Sequence, residues 1–171
     1  PDTFPLVAAD DRDLRSNMTE LFLIRIFGDG GAPVTQKVSS ILADMDAEIL
    51  DIGHSVIHNN LSLGLLVYFP ESDRSTSVKL ERQLGSVAEK IIISSIKSDI
   101  YEKWVQNQGS PRYVLTLLAR RLKASHLSAV SNLIAGSDLK VDAIKRLSGR
   151  ISRRSDFGST KACVEFSIRG E

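Results

Sequence analysis

Histidine, cysteine and a glycine-rich turn are the features of this sequence that could do chemistry. His54 and His58 are four residues apart in a segment with the pattern of a β-strand, so they would share a face but lie too far apart to bind one metal ion. His126 is distant in the sequence, and Cys163 is the single cysteine. No C-x-x-C or H-E-x-x-H pattern is present. We therefore expect no metal site and no cofactor in this chain.

Catalytic motifs are equally scarce. Asp11-Arg12-Asp13 resembles the D-x-D-x-[TV] nucleophile loop of the haloacid dehalogenase phosphatases, but Arg15 occupies the Thr/Val position. A solvated acidic turn is the better interpretation. Serine, histidine and aspartate occur without the context of a nucleophile elbow. The chain by itself is therefore predicted not to be an enzyme.

The glycine-rich turn consists of Gly28, Asp29, Gly30 and Gly31, followed by Pro33. Glycine adopts conformations that are costly for other residues, and proline suits a first helical position because it needs no N–H there. Backbone N–H groups at the start of a helix favour a carboxylate. A phosphate loop is not indicated, because no G-K-[ST] follows. The turn is either a carboxylate site or purely structural.

The segments around this turn have the order of a β-α-β-β unit. Residues 20–27 are apolar on both faces apart from Glu20 at the start and Arg25, which is typical of a central strand. Residues 47–58 and 61–69 have the patterns of two further strands joined by a turn at Asn59-Asn60. Between the first two strands, apolar residues recur at helical spacing: Val34, Val38, Ile41, Leu42 and Met45.

A second copy of this unit follows later in the chain. At one constant separation, identical residues pair without a gap: Leu23 with Leu115, Val38 with Val130, Ser39 with Ser131, Ala43 with Ala135, Asp46 with Asp138 and Ile52 with Ile144. The alignment then shifts, so that residues 66–69 lie over 163–166. The second hairpin is predicted to be longer, with residues 149–160 as its extra segment.

The remaining segments complete the predicted architecture. Residues 78–91 have the pattern of a helix, and the β-branched run in 90–97 that of a strand, which gives β-α-β-β-α-β. The fold class is therefore α+β, with two ferredoxin-like domains. We expect a leader over 1–19, a first domain over 20–97, a connecting helix over 98–110, and a second domain over 111–171 that is truncated after β-α-β-β.

Four phrases of the sequence carry a family resemblance. They are AEILDIGHSVIHNNLSLGLLV, RYVLTLLARRL, ACVEFSIRG and the connector IYEKWVQNQGSPRYV. They resemble the tandem ACT domains that precede the phosphatase domain in bacterial phosphoserine phosphatases of the SerB type. The resemblance covers roughly Glu20 to the end of the chain.

The resemblance implies a regulatory module that binds L-serine or another small amino acid and forms a homodimer. It assigns ligand-binding roles to Gly28, Asp29, Gly30, Gly31 and Glu48. The second copy lacks these glycines, so it either binds nothing or uses Arg120 as an anion contact. A phosphatase domain of the parent chain, beyond Glu171, would hydrolyse O-phospho-L-serine with Mg²⁺. The alternative is a freestanding ACT-pair regulator of the glycine-cleavage repressor kind, which acts through partner proteins.

Composition and charge narrow the classes of partner. A formal net charge of +1 argues against nucleic acid as a partner. No apolar run approaches the roughly 20 residues that span a bilayer, and no signal segment opens the chain. A single Cys163 permits no internal disulfide and suits a reducing compartment. We expect a cytoplasmic protein without a membrane partner.

Overall fold

The computed structural model describes residues 21–30, 33–73, 75–149 and 161–170. The expected leader over 1–19 and the candidate ligand residue Gly31 lie outside this part of the chain. The chain divides into two compact units, Pro1–Trp104 and Val105–Glu171. We call them the first and second units and describe each by itself.

The first unit has the element order β-α-β-β-α-β. Its elements are β1 (Leu21–Asp29), α1 (Val34–Asp44), β2 (Glu48–Ile57), β3 (Asn60–Tyr68), α2 (Thr76–Leu84) and β4 (Lys90–Ile96). The strands form one sheet in the order β2-β3-β1-β4, and every neighbouring pair is antiparallel. This is the ferredoxin-like α+β fold expected from the sequence.

The core of the first unit forms where one face of β1 meets the two helices. Phe22, Ile24 and Ile26 are at most 1% exposed. They lie opposite the alternating apolar residues Val67, Leu65 and Leu63 of β3. The helices cover this face with the buried residues Val38, Leu42, Leu80 and Leu84. Each such side chain contributes about 1.5–3 kcal/mol on full burial, so this face determines the fold.

The hairpin between β2 and β3 differs by one position from the expected turn. Ile57 pairs with Asn60, and the two residues between them, His58 and Asn59, have φ of 49° and 63°. Asn60, expected in the turn, instead begins β3, and its side-chain Nδ2 donates to the His58 carbonyl at 3.0 Å. Both turn residues have positive φ, as the common two-residue hairpin turn requires.

The second unit contains a smaller sheet. After α3 (Ser98–Gln106) and a short 3₁₀ helix (Asn107–Gly109), the chain forms β5 (Arg112–Ala119), α4 (Ala124–Ala135), β6 (Lys140–Arg146) and β7 (Ala162–Arg169). The strand order is β5-β7-β6, which corresponds to β1-β3-β2 of the first unit. Its buried core consists of Ile134, Val164, Phe166 and Ile168. Within the described residues, this sheet has no strand equivalent to β4.

The repeat is visible in backbone detail from the helix into the second strand. Asp46 and Asp138 follow the two helices, and both have φ of 54°. The register of β2 against β3 shifts after Ile49, and that of β6 against β7 shifts after Val141. These equivalences agree with the alignment made from the sequence.

The last strand of the repeat has a different register from the sequence alignment. Ile49 pairs with Val67 in the first sheet, and its counterpart Val141 pairs with Ile168 in the second. Ile168 is therefore the structural counterpart of Val67, and the alignment of Val67 with Val164 was wrong. The second hairpin is therefore longer than the sequence alignment indicated, because the alignment that matched residues 66–69 with 163–166 assumed too small an insertion.

The first strand is also displaced relative to the alignment. Phe22 pairs with Val67, while Tyr113 pairs with Ile168. Tyr113 is therefore the counterpart of Phe22, and Leu115 corresponds to Ile24 instead of Leu23. From Tyr113 to Asp138 the second unit has one residue more than the first unit has from Phe22 to Asp46, which accounts for the displacement.

A hydrogen-bonded aspartate fixes the loop before α2. The Asp73 carboxylate accepts hydrogen bonds from the N–H and the hydroxyl of Ser75, at 2.8 and 2.6 Å, and from the Thr76 hydroxyl at 3.2 Å. In return, the Asp73 N–H donates to Thr76 Oγ1 at 2.9 Å. The Ser75 side-chain hydrogen bond is the largest influence, and it lowers the pKa of the Asp73 carboxyl from its ordinary value of 3.8.

This lowered pKa predicts a pH-dependent contribution to stability. A carboxyl whose pKa is lower in the folded state stabilises the fold fully above its unfolded pKa, and the contribution is lost as the pH falls through the folded pKa. We expect Asp73→Asn to lower the urea midpoint at about pH 7, and the difference from wild type to shrink below about pH 3.8. Circular dichroism at both pH values checks this. An equal loss at both would show that the charge of Asp73 contributes nothing.

Candidate functional site

The turn after β1 is held against the β2–β3 hairpin. The Gly30 N–H donates to the Asn59 carbonyl at 2.6 Å. A Cβ on Gly30 would lie 2.7 Å from Val56 Cγ1 and 3.1 Å from the Asn59 oxygen. Gly30 is therefore required by a close approach of two backbones, and its N–H is already engaged within the protein.

The neighbouring residues of the turn have more space. A Cβ on Gly28 would make ordinary contacts of 3.6 Å with Ala88 and Glu89. Asp29 pairs with Asn60 in the sheet, and its side chain is exposed. The structure therefore brings Gly28, Asp29 and Gly30 together at one end of the sheet, and their environments differ.

The start of α1 presents backbone donors that have no hydrogen-bond acceptor among the described residues. Pro33 precedes the helix and gives no side-chain cap, and the first turn contains no acidic residue. The Lys37 N–H donates to the Pro33 carbonyl at 3.1 Å. The N–H groups of Val34, Thr35 and Gln36 precede this bond, so they have no acceptor within the helix. Together with the positive end of the helix dipole, they form a site suited to a carboxylate.

Glu48 does not join this site within the unit. It begins β2 and pairs with Tyr68, whereas Ile57, at the other end of β2, pairs with Asn60 beside the turn. Along the strand, at roughly 3.3 Å per residue, Glu48 lies about 30 Å from that end of the sheet.

A small cavity lies at this opposite end of the first unit. Its volume is about 210 Å³, and it is lined by Met45, Asp46, Phe69, Pro70, Glu71, Thr76 and Lys79. The Thr76 hydroxyl is engaged with Asp73, and the Lys79 ammonium lies 3.7 Å from the Asp73 carboxylate. Binding pockets for small molecules usually measure roughly 300–1,000 Å³. The start of α1, with its uncapped donors, is therefore the better candidate.

The equivalent turn of the second unit is built differently. Arg120 follows β5 with an exposed side chain. The Lys123 N–H donates to His126 Nδ1 at 3.3 Å, and the His126 N–H donates to the Lys123 carbonyl at 3.0 Å. His126 thus closes the start of α4 by hydrogen bonding. The sequence signal for this role was its place three residues after an extended residue that precedes a helix.

In the part of the chain that the structure describes, His, Cys, Asp and Glu side chains form no group of three or more that could hold a metal ion. No helix in the same residues is long and apolar enough to cross a membrane.

The first unit is thus a ferredoxin-like α+β unit in which the first turn of α1 has no side-chain cap and no acidic residue. Residues 20–93 match the family model of the ACT domain. Comparison with curated proteins gives no significant match.

Two solved structures are similar in fold over most of this chain. An unknown protein from Galdieria sulphuraria is similar at 13% identity and a TM-score of 0.60, over 88% of this chain and 81% of that one. A putative glycine cleavage system transcriptional repressor is similar at 11% identity and a TM-score of 0.59, over 89% and 81%. At such low identity, these similarities establish the fold alone.

The close approach at Gly30 predicts the effect of adding one methyl group. Gly30→Ala would press on Val56 and on the Asn59 carbonyl, and we expect it to lower the free energy of unfolding by about 1–3 kcal/mol. Gly53→Ala is the matched control, because nothing lies within 4 Å of its added Cβ. Urea unfolding followed by circular dichroism measures both. Equal stability of the two variants would show that the hairpin yields to the methyl group at no cost.

Proposed function

We propose that the first unit is a regulatory module that binds a small amino acid such as L-serine at the start of α1. The ligand carboxylate accepts hydrogen bonds from the free N–H groups of Val34, Thr35 and Gln36. The observation that carries this proposal is the uncapped, acid-free first turn of α1 beside a glycine turn. Its position within the segment that matches the ACT domain supports the proposal.

The other candidate residues have different parts in this proposal. Gly30 positions the turn by its hydrogen bond to Asn59. Gly28 is proposed to line the site, Asp29 to place negative charge near the ligand ammonium, and a ligand-binding role for Gly31 stays a prediction. Because Glu48 lies at the far end of its own sheet, it reaches a ligand only from another copy of the chain. In the second unit, Arg120 is proposed as an anion contact.

Homodimer formation is supported by the edge strand β2. Ile49, Ile52 and Val56 are 50%, 57% and 40% exposed. All three lie opposite buried residues of β3, so they share the face on which the helices pack. A second copy placed along this edge would cover them. We place the module in the cytoplasm, where free amino acids are its ligands.

A charge placed in the first turn of α1 tests the ligand site. Gln36→Glu keeps the size of an exposed side chain and adds a negative charge at the positive end of the helix. We expect slightly higher thermal stability and about tenfold weaker binding of L-serine or glycine in isothermal titration, or loss of binding. Oligomer mass, recorded in parallel, tests the homodimer.

Ala43→Glu is the matched control for this titration. It adds the same charge to an exposed position in the last turn of the same helix. We expect it to leave amino-acid binding unchanged. Equal weakening by both variants would place the ligand elsewhere, and the absence of binding by the wild-type chain at millimolar ligand would overturn the sensor function.

We also propose that the module regulates a phosphoserine phosphatase. The resemblance of the strand, hairpin and connector phrases to the SerB type supports this parent enzyme. The alternative is a freestanding regulator without enzymatic activity. It is supported at least as well, by the similarity to the putative glycine cleavage system transcriptional repressor.

The natural full-length protein distinguishes these two parents. If the module belongs to a phosphatase, that protein will release phosphate from O-phospho-L-serine in the presence of Mg²⁺, and EDTA will abolish the release. If it is a freestanding regulator, no phosphate will be released at any Mg²⁺ concentration. Amino-acid binding by the module is expected in either case.

A further inference from the structure

Two glycines lie opposite each other in the middle of the first sheet. Gly53 of β2 pairs with Gly64 of β3, and Gly64 pairs on its other side with Arg25 of β1. Residues directly opposite each other share a face, and Arg25 alternates with the buried Ile24 and Ile26. All three residues therefore lie on the face of the sheet that points away from the helices. We call the space above the two glycines the glycine notch.

Neither sterics nor backbone conformation requires glycine at these two positions. Nothing lies within 4 Å of a Cβ added to Gly53 or to Gly64. Neither residue has the positive φ that favours glycine. Glycine weakens the interior of a strand, because it loses much conformational freedom on folding and has no side chain to pack. A close approach of a ligand is one recognised reason for such a glycine.

The second unit shows that the repeated backbone accepts long side chains at both positions. The equivalent residues there are Lys145, Glu165 and Thr116, which pair in the same order across β6, β7 and β5. A lysine and a glutamate thus replace the two glycines, and a threonine replaces the arginine. Both units have the same register shift earlier in the second strand, so that irregularity does not require glycine either. The notch is a property of the first unit and not of the fold.

Arg25 provides a positive charge beside the glycine notch. Its side chain is exposed, and among the described residues it has no hydrogen bond and no ion pair. A guanidinium group presents a planar set of N–H donors that matches the oxygens of a phosphate or a carboxylate. An anionic group of a ligand is therefore the complement of this side of the notch.

Two serine hydroxyls border the notch on the side towards the β2–β3 hairpin. Ser55 pairs with Ser62, and both are exposed on the same face as the glycines. Ser62 also pairs with Phe27, so it is a diagonal neighbour of Arg25, and such positions are about 7–8 Å apart. A phosphate has enough oxygens to accept from the guanidinium and from a hydroxyl at once, whereas a bidentate guanidinium occupies both oxygens of a carboxylate. The arrangement therefore favours phosphate.

Two further charged residues lie on this face near the notch. Lys90 of β4 pairs with Phe27 and adds positive charge on the side of Arg25. Asp51 of β2 pairs with Leu66 on the other side of the glycines, and its Oδ1 accepts a hydrogen bond from the Ile52 N–H at 2.9 Å. Because Asp51 would repel a second anionic group, the remainder of the ligand should be uncharged and should carry hydrogen-bond donors.

We propose that the glycine notch binds a small phosphomonoester. Its phosphate lies between Arg25 and Ser62, and its hydroxyl-bearing part lies over Gly53 and Gly64 and donates to Asp51. The start of α1 is on the other side of the sheet, where the helices pack. Binding at the notch is therefore separate from amino-acid binding at α1 and does not depend on it.

Three small anions test the chemistry of the notch. The full chain is titrated with glycerol phosphate, inorganic phosphate and glycerate, and binding is measured by calorimetry and by the amide shifts in nitrogen-15 NMR spectra. We expect glycerol phosphate to bind most tightly, because it alone carries both the phosphate and the hydroxyl-bearing part. The amides of residues 53–55 and 62–64 are expected to shift, and those of residues 34–36 are expected to stay unchanged.

Residues of the second unit provide substitutions that the backbone accepts. Gly53→Lys combined with Gly64→Glu fills the notch without changing the net charge, and Arg25→Thr removes the guanidinium. We expect each of these two variants to weaken the binding of glycerol phosphate by about tenfold or more. Arg112→Thr is the matched control, because it removes the same charge from an exposed strand position of the second unit, and it is expected to leave binding unchanged.

Gln36→Glu separates this site from the start of α1, which could also attract a phosphate. It is expected to weaken amino-acid binding and to leave glycerol phosphate binding unchanged. The proposal is overturned if Gln36→Glu weakens glycerol phosphate and Arg25→Thr does not, if glycerate binds as tightly, or if no anion binds at millimolar concentration. Circular dichroism verifies that the variants are folded. If the filled-notch variant unfolds, the comparison of Arg25→Thr with Arg112→Thr still decides the outcome.

Discussion

The close approach of Gly30 to Asn59 connects the two turns at one end of the first unit. The hydrogen bond of 2.6 Å between them leaves no room for a Cβ at Gly30. It sets where β1 ends and therefore where α1 begins. Because Pro33 lies at that start and offers no side-chain cap, the first N–H groups of the helix keep their hydrogen-bonding capacity. The glycine turn thus acts on the site indirectly: it places the helix, and the helix provides the donors.

The architecture was predictable because its main determinants are local or repeated. The alternation of Phe22, Ile24 and Ile26 and the helical spacing of Val38 and Leu42 both appear in the core. The registers of the strands were harder to predict from the sequence, because a shift of one residue in β5 still leaves apolar residues on both faces. The sequence alignment therefore matches Leu115 with Leu23, although the strand pairing shows that its counterpart is Ile24. The hairpin turn was displaced by one residue for a similar reason, because His58, Asn59 and Asn60 can all adopt turn conformations.

The candidate site was predictable in its location and less so in its parts. A glycine-rich turn before a helix indicates a candidate anion site from chemistry alone. The sequence does not show which N–H groups are already engaged, and Gly30 proved to donate within the protein. The position of Glu48 depends on the direction of β2, which carries it away from the turn. The capping role of His126 depends on the conformation of Lys123, which is extended.

The two units share one repeated pattern of strands and a helix, but they differ in how completely that pattern is covered. In the first unit, α2 and β4 complete the core, so its open feature is the polar start of a helix. In the second, the cluster of buried residues consists of Ile134, Val164, Phe166 and Ile168, a small core for a sheet of three strands. Apolar side chains that stay in water contribute nothing to that core. Covering Tyr113 and Leu115 would therefore stabilise the second unit. The candidate ligand site at α1, in contrast, rests on a core that the described elements of the first unit already close.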